Sequence, residues 1–491
     1  MKSQTGILLL LIISFYSFGS DVILKGKAKG YTTDKIPVYT VKDYITGEKL
    51  LLAEISFKPD GTFQTVIKTD KIILIYFDLY VFKGSMFIEP GKTYDIELPD
   101  KTLPTDQDKF NPFFEPINQE IFINDTNSKE LNYVIGTFDV TFNRFILSNS
   151  TIAAENYIRQ VDTVAVIFNN YFSFCKHPYF QTYKKYKLGY LRQMVHKLTT
   201  ENAIRSYFTF NPVRFDNPAY MELFNSVFQD FFIAFAKTVN NAEIISVVEK
   251  ERSYMAMKKF ILSRNLIFKN DTLADLVILK GIHDGFYNFS TEVGMFKNRI
   301  PSNQLLMMLD SFCLQTDIAE FKAIALNIKE KVTCLMPGFK APDFVLPDQK
   351  KQDISLKNYR GKYVYLLFAA TWKYGCKQEF EQLSQISKQF GDSLQILVIA
   401  ADEKHEDITA FLNGKNYKIP FLYAGKDKSV LEKYGVTAYP TCFVIDKEGK
   451  FFISPANAPS EYFDKQFIKK FGPPDERESP IFDDLFDRDK Q

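Results

Sequence analysis

The sequence predicts three unlike parts: an N-terminal antiparallel β-sandwich, a central all-α region and a C-terminal α/β domain. Three observations carry this. Residues 21–104 alternate apolar and polar positions and turn about every 8–15 residues. Residues 105–335 change to a helical period. Residues 336–471 alternate apolar strand-like runs with amphipathic helices. The length of 491 residues suits about three domains. Apolar residues make up 46% and charged residues 24%, which excludes disorder for the bulk of the chain. Lys and Arg number 61 and Asp and Glu 59. The net charge of +2 excludes the basic footprint of a nucleic-acid binder.

The chain opens with Lys2, the apolar run Ile7 to Phe18 and the small-residue exit Ser17-Phe18-Gly19-Ser20. This is the pattern of a signal peptide over 1–20, cleaved after Gly19 or Ser20. The run is too short to cross a bilayer of ~30 Å. No stable membrane span is expected after its removal, and the mature protein is expected in the periplasm or cell envelope. Five cysteines, Cys175, Cys313, Cys334, Cys376 and Cys442, make no dense disulfide framework. Cys175 and Cys313 read as buried apolar residues. Cys334 reads equally as an exposed thiol in a linker or as a buried helix end.

In the β region, Val22-Ile23-Leu24 and Ile36-Pro37-Val38-Tyr39-Thr40-Val41 are strand-like. Ile55-Ser56-Phe57 runs into the turn Pro59-Asp60-Gly61, where Pro presets φ and Gly tolerates φ > 0. Lys71 to Phe82 is one dense β-branched and aromatic run, and Glu89-Pro90-Gly91-Lys92 turns into Tyr94–Leu98. In the helical region, Asn217-Pro218 is an N-cap followed by a favoured first helical residue. From Tyr220 through Phe224, Phe228, Phe232 and Phe235, apolar residues then recur at helical spacing. Asp271 caps a second helix that stops near Gly281, Ser302 opens a third and Asp317 a fourth. His177, His196, His283 and His405 form no paired metal-ligand motif with one another, so no metal site is expected. No phosphate-binding glycine loop is visible, and no cofactor is expected.

The C-terminal region reads β–β–α–β–α–β–β–α. Tyr363–Phe368 and Leu394–Ala400 are buried strands, and Cys376–Phe390 is a helix with Phe380, Leu383, Ile386 and Phe390 on its inner face. Thr441–Ile445 is a strand, and Lys447-Glu448-Gly449-Lys450 turns it into Phe451-Phe452-Ile453. Residues 472–491 form an acidic tail with seven acidic and three basic residues, expected to be disordered and solvated.

Several phrases in this region resemble a known family. They are Gly338-Phe339-Lys340-Ala341-Pro342-Asp343-Phe344, Tyr359-Arg360-Gly361-Lys362, Phe368-Ala369-Ala370-Thr371-Trp372, Tyr434-Gly435-Val436, Tyr439-Pro440-Thr441 and Val444-Ile445-Asp446. Together they are similar to thioredoxin-like proteins, above all the secreted TlpA-type thiol–disulfide oxidoreductases, with the peroxiredoxins further off. The layout of the preceding regions resembles large secreted thioredoxin-like proteins of Bacteroidetes. The resemblance implies a Trp-Cys-x-x-Cys motif at a helix N-terminus. There the first thiolate attacks a disulfide and the second cysteine resolves the mixed disulfide. It implies a cis-proline that holds the substrate, matched here by Pro440 with Tyr439 and Thr441 beside it. The implied partners are protein thiols or disulfides, or a cell-envelope protein.

The sequence departs from the family at the decisive position. After Trp372 stands Lys373-Tyr374-Gly375-Cys376, so Lys373 occupies the place of the attacking cysteine. Two readings follow. In one, dithiol activity is weak or lost and the domain binds or scaffolds. In the other, Cys376 remains a monothiol redox centre, with Cys442 open as a second thiol. Lys373, three residues before Cys376, falls on its helix face and favours the thiolate, whereas Glu379, three residues after, disfavours it. A peroxidase reading lacks its Pro-x-x-x-Thr-x-x-Cys pattern around Thr371.

Overall fold

A computed structural model describes residues 20–105, 108, 114–124, 126–149, 154–195, 199–232, 247–263, 270–287, 302–402, 404–415, 417–425 and 429–471. The expected signal peptide (save Ser20), His196, Phe235 and the acidic tail lie outside these residues. The chain forms two compact units, divided between Lys329 and Glu330.

Among the described residues, the first unit begins with nine strands: β1 (Ser20–Lys27), β2 (Lys35–Val41), β3 (Lys49–Ser56), β4 (Thr62–Thr69), β5 (Ile73–Leu79), β6 (Phe82–Ile88), β7 (Thr93–Glu97), β8 (Ile117–Glu120) and β9 (Phe122–Ile123). They make two sheets, ordered β4-β1-β7-β9 and β3-β2-β5-β6-β8. Inward residues of both sheets, among them Val22, Leu24, Val38, Ile67, Phe77, Ile88 and Ile96, enter one core. The architecture is the expected sandwich. Its pairings are mainly antiparallel, but β1 with β7 and β6 with β8 are parallel. The run Lys71–Phe82 is not one strand. It turns at Tyr80, whose φ is 64°, and pairs Leu79 with Phe82 across a hairpin. Without Gly, Pro or Asn at the corner, the turn has no sequence signal. β8 and β9 extend the sheets past residue 104, and β8 is exposed along its whole length, so no alternation marks it.

Eight longer helices follow among the described residues: α1 (Leu131–Asn149), α2 (Ala154–Tyr171), α3 (Pro178–Met194), α4 (Pro218–Val227), α5 (Tyr254–Ser263), α6 (Asp271–Tyr287), α7 (Ser302–Gln315) and α8 (Ala319–Thr333). Asn217 caps α4 by accepting from the N–H groups of Ala219 and Tyr220, both at 3.1 Å. Phe208, Tyr220, Phe224 and Phe228 pack edge-to-face and tilted in the core of this unit. Three helix ends differ from expectation. α4 stops at Val227 with Phe228 as its C-cap, although the helical spacing of apolar residues continues beyond it. The cap of α6 is Asn270, which accepts from the Leu273 N–H, and not Asp271. Nor does α6 stop at Gly281. The ring of Phe232 lies 2.7 Å from where a Cβ would stand, so glycine is needed there for close packing. Cys175 and Cys313 are buried, as expected.

The second unit is built on strands β10 (Val345–Pro347), β11 (Asp353–Ser355), β12 (Tyr363–Ala369), β13 (Leu394–Ala400), β14 (Phe421–Tyr423), β15 (Thr441–Ile445) and β16 (Phe451–Ala456). Its helices are α9 (Tyr374–Phe390), α10 (His405–Leu412), α11 (Ser429–Lys433) and α12 (Phe463–Phe471). The main sheet runs β14-β13-β12-β15-β16, and β10 and β11 form a hairpin of their own. β12 pairs in parallel with β13 and antiparallel with β15. Period-two alternation sends Tyr365, Leu367 and Ala369 into a core shared with α9, α10 and α12. It sends Val364, Leu366 and Phe368 into a second core with Phe344, Leu431 and Tyr434. A strand buried on both faces reads as continuous apolar sequence, as β12 does. Burying each of Val364, Leu366, Leu367 and Phe368 contributes roughly 1.5–3 kcal/mol. β14 and α11 are absent from the sequence reading because they are too short to show a period. In the β15–β16 hairpin, Gly449 adopts φ 76° and the Arg360 guanidinium fills the space a Cβ would take.

Candidate functional site

β12 delivers the site. Beyond Ala369 the chain runs through Ala370, Thr371, Trp372 and Lys373 into α9. Ala369 pairs with Ala400 at the end of the neighbouring parallel strand, so residues 371 and 402 meet just past both strands. Such strand ends are where open α/β sheets place ligands. Thr371 donates its N–H (3.1 Å) and hydroxyl (2.5 Å) to the buried Asp402 carboxylate. This clamp holds the loop that carries Trp372.

Lys373 is the N-cap of α9, with φ −85° and ψ 123° and no capping bond from its side chain. It stands outside the helix rather than on the helix face of Cys376. Its charge nevertheless acts on the thiol. Cys376 lies in the first turn and points into the core with Phe380 and Leu383, at 0% exposure. Burial pushes its thiol above the ordinary range; the hydrogen bond at Ala370 and the charge of Lys373 pull it down, and Glu379 and Asp402 push it up. Burial wins, a contribution the spacing of charges does not reveal.

Glu379 is buried one turn further on. Its two carboxylate oxygens accept from the Ser460 N–H at 2.8 Å and the Ser460 hydroxyl at 2.6 Å. Facing α9, the Tyr439–Pro440 peptide is cis, as the resemblance implies. Tyr439 packs against the cores on both faces of the sheet. Burial raises its phenol, with Cys376 and Asp402 adding to the effect. Thr441 donates its hydroxyl to the Ala438 carbonyl at 2.6 Å.

Cys442 sits on β15 opposite Leu367 and is buried in the same core as Cys376. Its thiol is pushed up to about 12, first by burial, while a hydrogen bond with the Tyr365 hydroxyl pulls it down. Cys376 and Cys442 are not bridged to each other. Cys334 is exposed, with its thiol on the Lys331 carbonyl at 3.0 Å. Trp372, Lys373, Cys376, Glu379, Tyr439, Pro440, Thr441 and Cys442 thus gather where α9 starts and β15 starts. Asp402 and Ser460 belong with them. The register of β12 and β13 points to Asp402; no sequence signal points to Ser460. Among the described residues, no group of three or more His, Cys, Asp and Glu side chains is arranged to hold a metal ion.

Comparison with known proteins bears on the same domain. The AhpC/TSA family model matches residues 337–451. A thiol–disulfide oxidoreductase ResA of Bacillus cereus is 32% identical over 157 residues, covering 32% of this chain and 87% of the relative. ResA of Geobacillus kaustophilus is 31% identical over 152 residues, covering 31% of this chain and 87% of the relative. The solved thioredoxin domain of a thiol–disulfide oxidoreductase from Bacteroides vulgatus is 25% identical. It covers 28% of this chain and 98% of that domain, with a TM-score of 0.26. Through its C-terminal domain, the chain belongs to the AhpC/TSA family of thioredoxin-like proteins and is a relative of the thiol–disulfide oxidoreductases.

Proposed function

We propose that this is an exported thioredoxin-like protein of the cell envelope whose C-terminal domain binds a protein partner and no longer runs a dithiol cycle. One observation carries the reading: lysine stands at the N-cap of α9, and the remaining thiol, Cys376, is wholly buried and raised. Disulfide exchange needs a thiolate that a disulfide sulfur can reach, then a second thiol to release the mixed disulfide. Lys373 removes the first, and burial withholds the second. The cis-proline that the resemblance implies holds the substrate stands at Pro440, with Trp372 exposed and Thr371 bonded to Asp402. Export rests on the N-terminal pattern of charge, apolar run and small residues.

The rival reading, a monothiol centre at Cys376, draws on the Lys373 charge and the Ala370 hydrogen bond, both of which favour the thiolate. Trapping separates the two. Under the proposal, Cys376→Ser leaves the set of proteins captured by the full chain unchanged, including any dithiothreitol-sensitive adduct formed at the exposed Cys334. Loss of a dithiothreitol-sensitive adduct in Cys376→Ser establishes the rival.

A further inference from the structure

The second unit exposes few large apolar side chains among its described residues, and three of them gather at the first half of α9. Trp372 is 47% exposed and Tyr374 is 74% exposed. Tyr462 is 66% exposed, lies two residues beyond the Ser460–Glu379 contact that ties its loop to α9, and adopts φ 62°. A bulky residue held in that region costs energy, and such residues cluster at ligand clamps. Lys373, Lys377 and Lys465 stand among these rings, and the Lys465 ammonium lies 4.9 Å from the centre of the Tyr462 ring. Exposed Glu461 and half-buried Asp464 flank Tyr462, and the patch is aromatic, with its lysines outnumbering its acidic residues.

A segment of matching chemistry follows Phe471. Residues 472–491 hold seven acidic and three basic residues around two apolar pairs, Ile481-Phe482 and Leu485-Phe486. The distance is coverable. Phe471 packs on Tyr363 at the start of β12, and Trp372 follows the end of that strand. Seven strand residues span ~23 Å, whereas the extended residues 472–481 reach ~33 Å. Opposite charge steers the approach, and the apolar pairs supply buried area.

We infer that the Trp372–Tyr374–Tyr462 face of α9 is a docking surface for an acidic segment with paired apolar residues, and that its occupant is this chain's own C-terminal tail. This rests on the reading of the domain as a binding module and names its partner. An external protein then has to displace the tail.

Trp372 is the single tryptophan of the chain, so its fluorescence reports the face alone. The experiment compares acrylamide quenching in the full chain, in a chain ending at Phe471, and in the full chain carrying Ile481→Ser, Phe482→Ser, Leu485→Ser and Phe486→Ser. The expected quenching constant is at least about twofold larger in the two altered chains, and Lys377→Glu with Lys465→Glu moves the full chain the same way. Equal constants in all the proteins overturn the inference. So does shielding that survives the serine substitutions. So does shielding that fades on dilution, because it assigns the cover to a second copy. The readout involves no thiol, so it can fail while Cys376 stays inert, and Cys376 can prove reactive while the tail still covers Trp372.

Discussion

The start of β15 and the start of α9 face each other and differ in what they keep. At β15, cis-Pro440 follows Tyr439, and the Thr441 hydroxyl is satisfied within its own turn. At α9, the helix is held as firmly, by the Thr371–Asp402 clamp before it and the Glu379–Ser460 bonds after it. Yet a lysine occupies its N-cap, and the one thiol there faces the core. The backbone that positions the chemistry and the side chains that perform it are thus separate properties. The first depends on packing spread over two cores; the second depends on one half-buried position, that of Lys373.

Restoring that position sharpens the contrast most. Lys373→Cys places a thiol where N–H groups of the first turn favour a thiolate. An insulin-reduction assay is expected to show a rise on the order of tenfold or more over the parent chain. No rise in a folded variant breaks the assignment of α9 as the former redox site. The next effect is on stability. Phe380→Ala empties a core position between Phe411 and Phe421 and is expected to cost about 3–5 kcal/mol in guanidinium unfolding. On the other half of the site, Thr441→Ala removes one local hydrogen bond and is expected to cost about 1 kcal/mol or less. Comparable losses at the two positions contradict the view that the cores, and not the turns, hold the site.

Glu379→Gln lies between these two. The amide keeps one acceptor for Ser460 and loses the charge, for an expected cost of about 1–2 kcal/mol. Removing that charge also lowers the Cys376 thiol, because Glu379 raises it. A titration of thiol absorbance reads the shift. A further effect is alkaline. An unfolded thiol ionises near ~8.5, while the folded Cys442 holds its proton to about 12. The folded state therefore binds that proton more tightly. The stabilisation is complete below pH ~8.5 and drains as the pH rises toward 12. Cys442→Ala is expected to flatten the fall in unfolding free energy between pH 8 and 10, followed by guanidinium melts.

Much of the α/β unit is legible in the sequence because its signals are local. β12 is a continuous apolar run, Gly449 marks the β15–β16 hairpin, and Pro440 and Trp372 stand in recognisable phrases. What stays hidden depends on distance along the chain. Thr371 meets Asp402 across 31 residues, and Glu379 meets Ser460 across 81. The balance at Cys376 is hidden for the same reason. Spacing shows Lys373 and Glu379, but the burial that outweighs both comes from a core that the fold assembles from distant residues, among them Ile408, Phe421 and Phe463. In the first unit, Asn217-Pro218 announces α4, whereas the turn at Tyr80 and the passage of α6 through Gly281 depend on packing partners that no local pattern shows.

The most direct measurement is peptide-resolved alkylation of the native full-length protein, purified without reductant, with Cys334 as the internal standard. Cys334 is exposed and Cys376 is buried in the core. A buried thiol reacts only through opening of the structure, so Cys376 is expected to react at least about 10³-fold more slowly than Cys334 at pH 7, and at the same rate once the chain is unfolded. Reaction of Cys376 at a rate near that of Cys334 in the folded protein, or its recovery in a disulfide, contradicts the account and returns the site to redox chemistry.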